Sequence, residues 1–223
     1  MNKVWAIIKK DIVTELRTKE LFSSMLIFAL LVIVIFNFAF GFSTELLDLA
    51  APAMLWISFI FAGVLGLSRS FALEKEGNAV IGMLLTPTDR SLIYAGKMIS
   101  NTIFIFLVGL LMVPMFILFF NYEFLSTLIP LIPVIFLGAV GFVSVGTLFS
   151  AMALNTKLRE VLLPILLFPI IIPVIVSAVE ISGQVLDGNS LFAASSSLKL
   201  LVSFDIIFLT ACAVTFEYVI EES

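Results

Sequence analysis

Few residues in this chain could do chemistry on their own. None of its 223 residues is a histidine, which removes Ser-His-Asp catalysis, the HExxH zinc site and any imidazole ligand to a metal. The single cysteine, Cys212, has no partner for an internal disulfide and belongs to no CxxC pattern, so it reads as small apolar filler. The nearest approach to a phosphate-binding loop is SLIYAGKM at 91–98. It has Gly96-Lys97 but lacks the first glycine and the closing Ser/Thr of GxxxxGK[ST]. ATP is therefore expected on another polypeptide. Two acids, Glu180 and Asp205, fall beside or within apolar runs, where a carboxylate is costly and is a functional candidate by default. Glu180 stands at the end of its run and can reach the interface. Asp205 is either a pathway or partner contact, or a residue nearer the surface than its run implies. Lys199, six positions earlier, is too far for an i,i+4 pair.

The densest charge is in RSFALEKEGNAVIGMLLTP, Arg69 to Pro87. Glu74, Lys75 and Glu76 break the hydrophobicity, Gly77 permits a close approach or a turn, and a short amphipathic run ends at Pro87. A helix is expected near Leu73–Leu84. On its own the segment reads as a solvated connector.

What surrounds these residues is mostly oil. The chain is 61% hydrophobic with a mean hydropathy of +1.22, which places it among polytopic α-helical membrane proteins. At roughly 20 apolar residues per crossing, six spans are expected at about 21–41, 50–67, 98–120, 125–153, 161–181 and 200–218, in a single transmembrane domain. The runs are continuous rather than alternating, which excludes a β-barrel. In this six-span arrangement eleven of the twelve basic residues fall on one side and Lys199 alone on the other. The positive-inside rule then puts both termini and the 69–87 segment in the cytoplasm. No dense basic patch points to nucleic acid. The first apolar run is longer than a signal-peptide core, so no cleaved leader is expected.

Residues 2–20 have a different period. Val4, Trp5, Ile8, Ile12 and Leu16 recur at helical spacing, with Lys9, Lys10, Asp11, Glu15 and Arg17 at other positions. This predicts an amphipathic helix lying in the membrane interface against the lipid bilayer. Pro114, Pro130 and Pro133 punctuate spans three and four, and Pro164, Pro169 and Pro173 punctuate span five. Each removes a backbone hydrogen bond, so span five is expected to be kinked and packed against protein. The pairs Ala62/Gly66 and Gly146/Ser150, and Gly138/Gly141, mark places where backbones can approach. The 23 phenylalanines read as ordinary filler.

The order of elements is a basic amphipathic helix, two spans, a charged connector ending in LLTP and four more spans. It resembles the permease subunit of ABC-2 exporters. More specifically, the chain resembles the CcmB family of cytochrome c maturation systems. The likeness rests on Ala51-Pro52 with Trp56, on LSRSFALEKEGN followed by MLLTP, on LGAVGF at 137–142, and on NTKLREVLLPILLFPIIIPVI at 155–175. At one position the chain departs from the family. Ser68 precedes Arg69 where many relatives carry an acid, which leaves open what pairs with that arginine.

The resemblance implies a non-catalytic subunit in the bacterial inner membrane, with no cofactor of its own and with haem as the substrate of the whole system. Arg69, Leu73, Glu74, Lys75, Glu76, Gly77 and Pro87 would couple it to a cytosolic ABC ATPase that binds the ATP. Further implied partners are a second copy of the chain, a haem-handling membrane protein, a small single-span subunit and an external haem chaperone. The absence of histidine favours ATP-driven release of loaded chaperone over passage of haem through this chain. An ABC-2 exporter of lipid-linked glycans or drugs is the second reading, and a carrier without an ATPase the third. The carrier is disfavoured because such folds show broken helices in both halves.

Overall fold

The computed structural model describes residues 2–40, 44–76, 89–153 and 159–221. Seven α-helices account for nearly all of them. They are α1 (Asn2–Thr18), α2 (Glu20–Phe40), α3 (Thr44–Glu76), α4 (Arg90–Phe120), α5 (Phe124–Ala153), α6 (Arg159–Leu186) and α7 (Ser195–Glu221), with a 3₁₀ turn at Leu191–Ala194 before the last. No strand occurs among the described residues. Six segments are long and apolar enough to cross a membrane: Glu20–Phe40, Leu49–Ala72, Arg90–Phe120, Ser126–Ala153, Val161–Leu186 and Leu191–Val219. The polytopic all-α class read from composition is the class observed. Several helices run past the apolar runs, most of all α3 to Glu76 and α4 back to Arg90.

Corners between helices are made locally. Lys19 takes a left-handed backbone (φ 56°) between α1 and α2, and the Glu15 carboxylate accepts the amide of Phe22 at 2.8 Å. That contact satisfies one of the first amides of α2 and places negative charge at its positive end. Asn121, also left-handed at φ 57°, closes α4 by returning its N–H to the Ile117 carbonyl, the usual role of Asn at this position.

α5 is the hub, touching α3, α4, α6 and α7. Bulky side chains from its neighbours sit on its glycines. A Cβ at Gly138 would stand 2.2 Å from the indole of Trp56, and one at Gly146 2.3 Å from Leu67. Trp56 is fixed further by its Nε1–H, which donates to Ser182 Oγ of α6 at 2.9 Å. α2 joins the hub at second hand. Its stripe of Leu21, Met25, Ala29 and Ile33 is buried, with Met25 seated on Gly66 of α3. The opposite stripe of Ile27, Leu31, Ile35 and Phe38 faces outward, as lipid contact requires.

Gly138→Ala pushes a methyl into a rigid indole held by a hydrogen bond. It is expected to cost about 1–3 kcal/mol and to lower the thermal midpoint in detergent. At Gly183 the nearest atom to a new Cβ is 3.6 Å away, so Gly183→Ala should leave the midpoint unchanged or higher. Equal midpoints for the two variants would refute the packing described.

Candidate functional site

The residues that flank the charged connector are gathered at one end of the bundle, called here the loop end. α3 enters the connector and α4 leaves it. Arg69, two turns before the end of α3, makes an ion pair with Glu20 at the first position of α2. This answers the question left by the missing acid beside Arg69: the carboxylate is supplied from another helix. Both side chains are about half exposed, at 49% and 50%. A pair so wet contributes about 0–1 kcal/mol.

The second tie is of another kind. Lys97 lies two turns inside α4, only 2% exposed, and its Nζ donates to Asp11 Oδ2 of α1 at 2.8 Å. Lys10 also reaches Asp11, at 3.2 Å. Beside the pair, Ile7 is pressed onto Gly96, where a Cβ would meet it at 3.0 Å. A buried pair adds little net stability, because desolvating both ions offsets most of the attraction. Removing one partner alone costs about 3–5 kcal/mol.

Three hydrogen bonds complete the loop end. Ser70 Oγ donates to Asn101 Oδ1 at 3.0 Å, joining α3 to α4. Tyr94 O–H donates to the Ser144 carbonyl of α5 at 2.9 Å. Arg90 Nη1 donates to the Glu217 carbonyl near the end of α7 at 3.3 Å.

Of the coupling residues expected from the sequence, Arg69 is therefore placed in an interhelical pair. Leu73, Glu74, Lys75 and Glu76 form the last turn of α3, and Gly77 and Pro87 lie outside the described residues. Up to Glu76, the helix expected near Leu73–Leu84 is a continuation of α3 and not a separate element.

The N-terminal helix is where the sequence reading needs correcting. Asp11 and Glu15 were assigned to positions away from the apolar stripe, but both turn toward protein. Glu15 is 7% exposed and the Asp11 side chain 11%, alongside buried Ile8. Trp5 and Leu16, expected on the same stripe as Ile8, project outward instead. The signal was present. Positions 4, 8, 11, 12 and 15 form one helical face, and two acids on it require a cation opposite. Lys97 could not be identified as that cation while it counted only as a loop charge.

α6 runs as helix through Pro164, Pro169 and Pro173. Its packing seam is Leu163, Leu167, Ile171, Val174, Ala178, Ile181 and Val185, all buried. Pro169 and Pro173 lie on the opposite, exposed face beside Ile165, Ile172 and Val176. The two acids separate clearly. Glu180 is exposed and accepts from Ser197 Oγ of α7 at 2.6 Å. Asp205 is 4% exposed, and among the described residues neither of its oxygens has a hydrogen-bond partner. It sits over Gly141 of α5, where a Cβ would stand 2.5 Å from Oδ1, close to Val174 of α6.

A family model described as CcmB protein matches residues 2–222. Three curated proteins named heme exporter protein B are similar along most of their length. The protein from Bradyrhizobium diazoefficiens is 26% identical over 198 residues, covering 89% of each chain. That from Pseudomonas aeruginosa is 28% identical over 80% of this chain and 82% of its own. The Rhodobacter capsulatus protein is 25% identical, with 82% and 84% covered.

Because no donor among the described residues faces Asp205, Asp205→Asn should fold with an unchanged or higher thermal midpoint in detergent, since a buried unpaired carboxyl is a cost rather than a support. A clear fall in the midpoint would show that the carboxyl holds α7 in place.

Proposed function

The chain belongs to the CcmB family, and from that premise we propose that it is the membrane permease subunit of an ABC complex that exports haem for cytochrome c maturation. It is a multi-pass protein of the bacterial inner membrane. The observation that carries the reading is the match over essentially the whole chain to a family whose curated members are named for haem export. Six helices long and apolar enough to cross a membrane agree with it.

In this reading the loop end and both termini face the cytoplasm, where the basic residues concentrate. The subunit is not itself catalytic. A separate cytosolic ATPase binds and hydrolyses ATP, and its motion enters through the last turn of α3 and the segment that follows. Glu74, Lys75, Glu76 and Gly77 supply the charged, close-fitting surface it grips, with Arg69, Leu73 and Pro87 framing the segment. A helical tail continuous with α3 suits this work, because a push on its end is passed along a stiff rod instead of being absorbed by a flexible link.

The second copy of the chain is supported by the outward face of α6. Pro169 and Pro173 leave the carbonyls of residues 165 and 169 without their helical donors, and hydrocarbon offers no replacement. A protein surface does. A haem-handling membrane protein, a small single-span subunit and an external chaperone complete the assembly. With no histidine in the chain, haem in transit would lack an imidazole ligand here. This favours ATP-driven release of loaded chaperone as the output, although methionine can also ligate haem iron.

Reversing the charge at Glu74 and Glu76 together should strip the ATPase from the purified complex while this chain still accumulates in the membrane. Undiminished recovery of the ATPase would refute docking at this segment. Deleting the gene should abolish covalent c-type haem and spare b-type haem. Retained c-type haem, with no second copy on the chromosome, would refute the functional reading itself.

A further inference from the structure

We propose that the N-terminal segment is a strap across the mouth of the cytosolic connector, with a fixed anchor at Asp11–Lys97 and a releasable latch at Glu20–Arg69. The proposal rests on the coupling role given above to the connector. The four residues are positioning residues, which set how the ends of α3 and α4 move relative to each other.

The connector leaves α3 and returns into α4, so what a push accomplishes depends on whether those two helix ends are tied. Ser70 and Asn101 join them directly, and both are also tied to one short stretch of chain. α4 is held through Lys97 to Asp11, and α3 through Arg69 to Glu20. The polarity is the same in both ties, with the acid on the N-terminal segment and the base on the bundle. Between Asp11 and Glu20 the chain turns at Lys19, with the Glu15 carboxylate gripping the Phe22 amide. The strap is therefore a stiff corner and not a slack link.

The two ties differ in strength, and that difference gives the strap its function. Lys97 is buried, and its neighbour Gly96 lies against Ile7 of α1. Opening this tie would strand a charge in a dry site, so α1 and α4 move as one body. Arg69 and Glu20 are half exposed, so water replaces each partner at little cost. This is the tie that a stroke of the connector can break and remake. α3 then shifts against the α1–α4 body together with α5, to which Trp56 and Leu67 lock it, working against the Ser70–Asn101 bond and the seat of Phe59 on Gly109.

The test uses the whole complex in membranes and reads covalent c-type haem formed per ATP hydrolysed. Glu20→Lys turns the latch into a repulsion at a solvated position, so the complex should assemble with its ATPase in normal amount. Haem attached per ATP should fall about fivefold, the order that ~1 kcal/mol gives. Adding Arg69→Glu to restore the pair with its charges exchanged should return the ratio to within about twofold of wild type. A normal ratio in Glu20→Lys, or a double variant no better than the single, overturns the latch.

For the anchor, Lys97→Met alone should lower accumulation of the complex, and Lys97→Met with Asp11→Leu should restore both accumulation and the ratio, because a buried pair is replaceable by apolar packing. A double variant that accumulates as poorly as the single overturns the anchor. Failure of the functional reading shows up separately, as loss of the ATPase from the wild-type complex or as c-type haem in the deletion strain.

Discussion

Close approach to the glycine face of α5 is the contact on which the rest of this structure depends. Between helices in lipid, oil-to-oil burial supplies no drive, and what remains is dispersion between surfaces that fit. A glycine lets a neighbour's side chain fill the space where a Cβ would be, which multiplies those contacts. Gly138 receives Trp56 and Gly146 receives Leu67, both from α3. The return contact is equally tight, since Phe142 of α5 lies on Gly63 of α3. Knobs alternating in both directions lock the two helices in register, so α3 is displaced as a unit or not at all. The Trp56–Ser182 bond then extends that register to α6.

Charge is distributed accordingly. In the hub, Asp205 faces no hydrogen-bond donor among the described residues, whereas the Glu20–Arg69 and Asp11–Lys97 ion pairs lie at the loop end, on helices α1 to α4. The cost of a buried ion is tolerated where it fixes an amphipathic helix that has no other strong hold. Ile7 and Ile12 give α1 a narrow apolar contact with the core of the bundle, and Trp5 and Leu16 face the outer side. Asp11 and Lys97 add direction to that contact. The pair specifies one rotation and one sliding position of α1 on α4, which apolar contact alone leaves loose.

Much of the architecture could be read from the sequence because it follows from composition. Continuous apolar runs give the six spans, and the one-sided basic residues fit their number. The small residues at 62/66, 138/141 and 146/150 pointed to close helix approach, though not to which helix is the hub or which side chains fill the glycines. Sequence pattern failed where a residue's role depends on a distant partner. Asp11 falls off the apolar stripe of the first helix, and Lys97 just before the apolar run that begins at Met98. Only tertiary packing brings positions 11 and 97 together and reverses both assignments. Arg69 is the intermediate case. Its lack of an adjacent acid was visible in the sequence, and the chain compensates with Glu20 from the base of α2, a pairing no local pattern predicts.

In the proposed coupling role, these features together constrain how force would pass through the chain. A hub locked by reciprocal knobs does not yield internally, so movement fed in at the loop end must appear as displacement of whole helices. α3 is the helix most exposed to that movement, because it continues without a break from the hub into the last turn before the connector. Were α3 and α4 both held firmly at the loop end, a stroke would move the bundle as a block and do no work within it. Were neither held, the connector would flex between two loose ends and the displacement would be dissipated there. A firm, buried tie on α4 and a wetter, weaker one on α3 avoid both outcomes. They give the stroke a fixed body to push against and let α3 answer together with the helices locked to it.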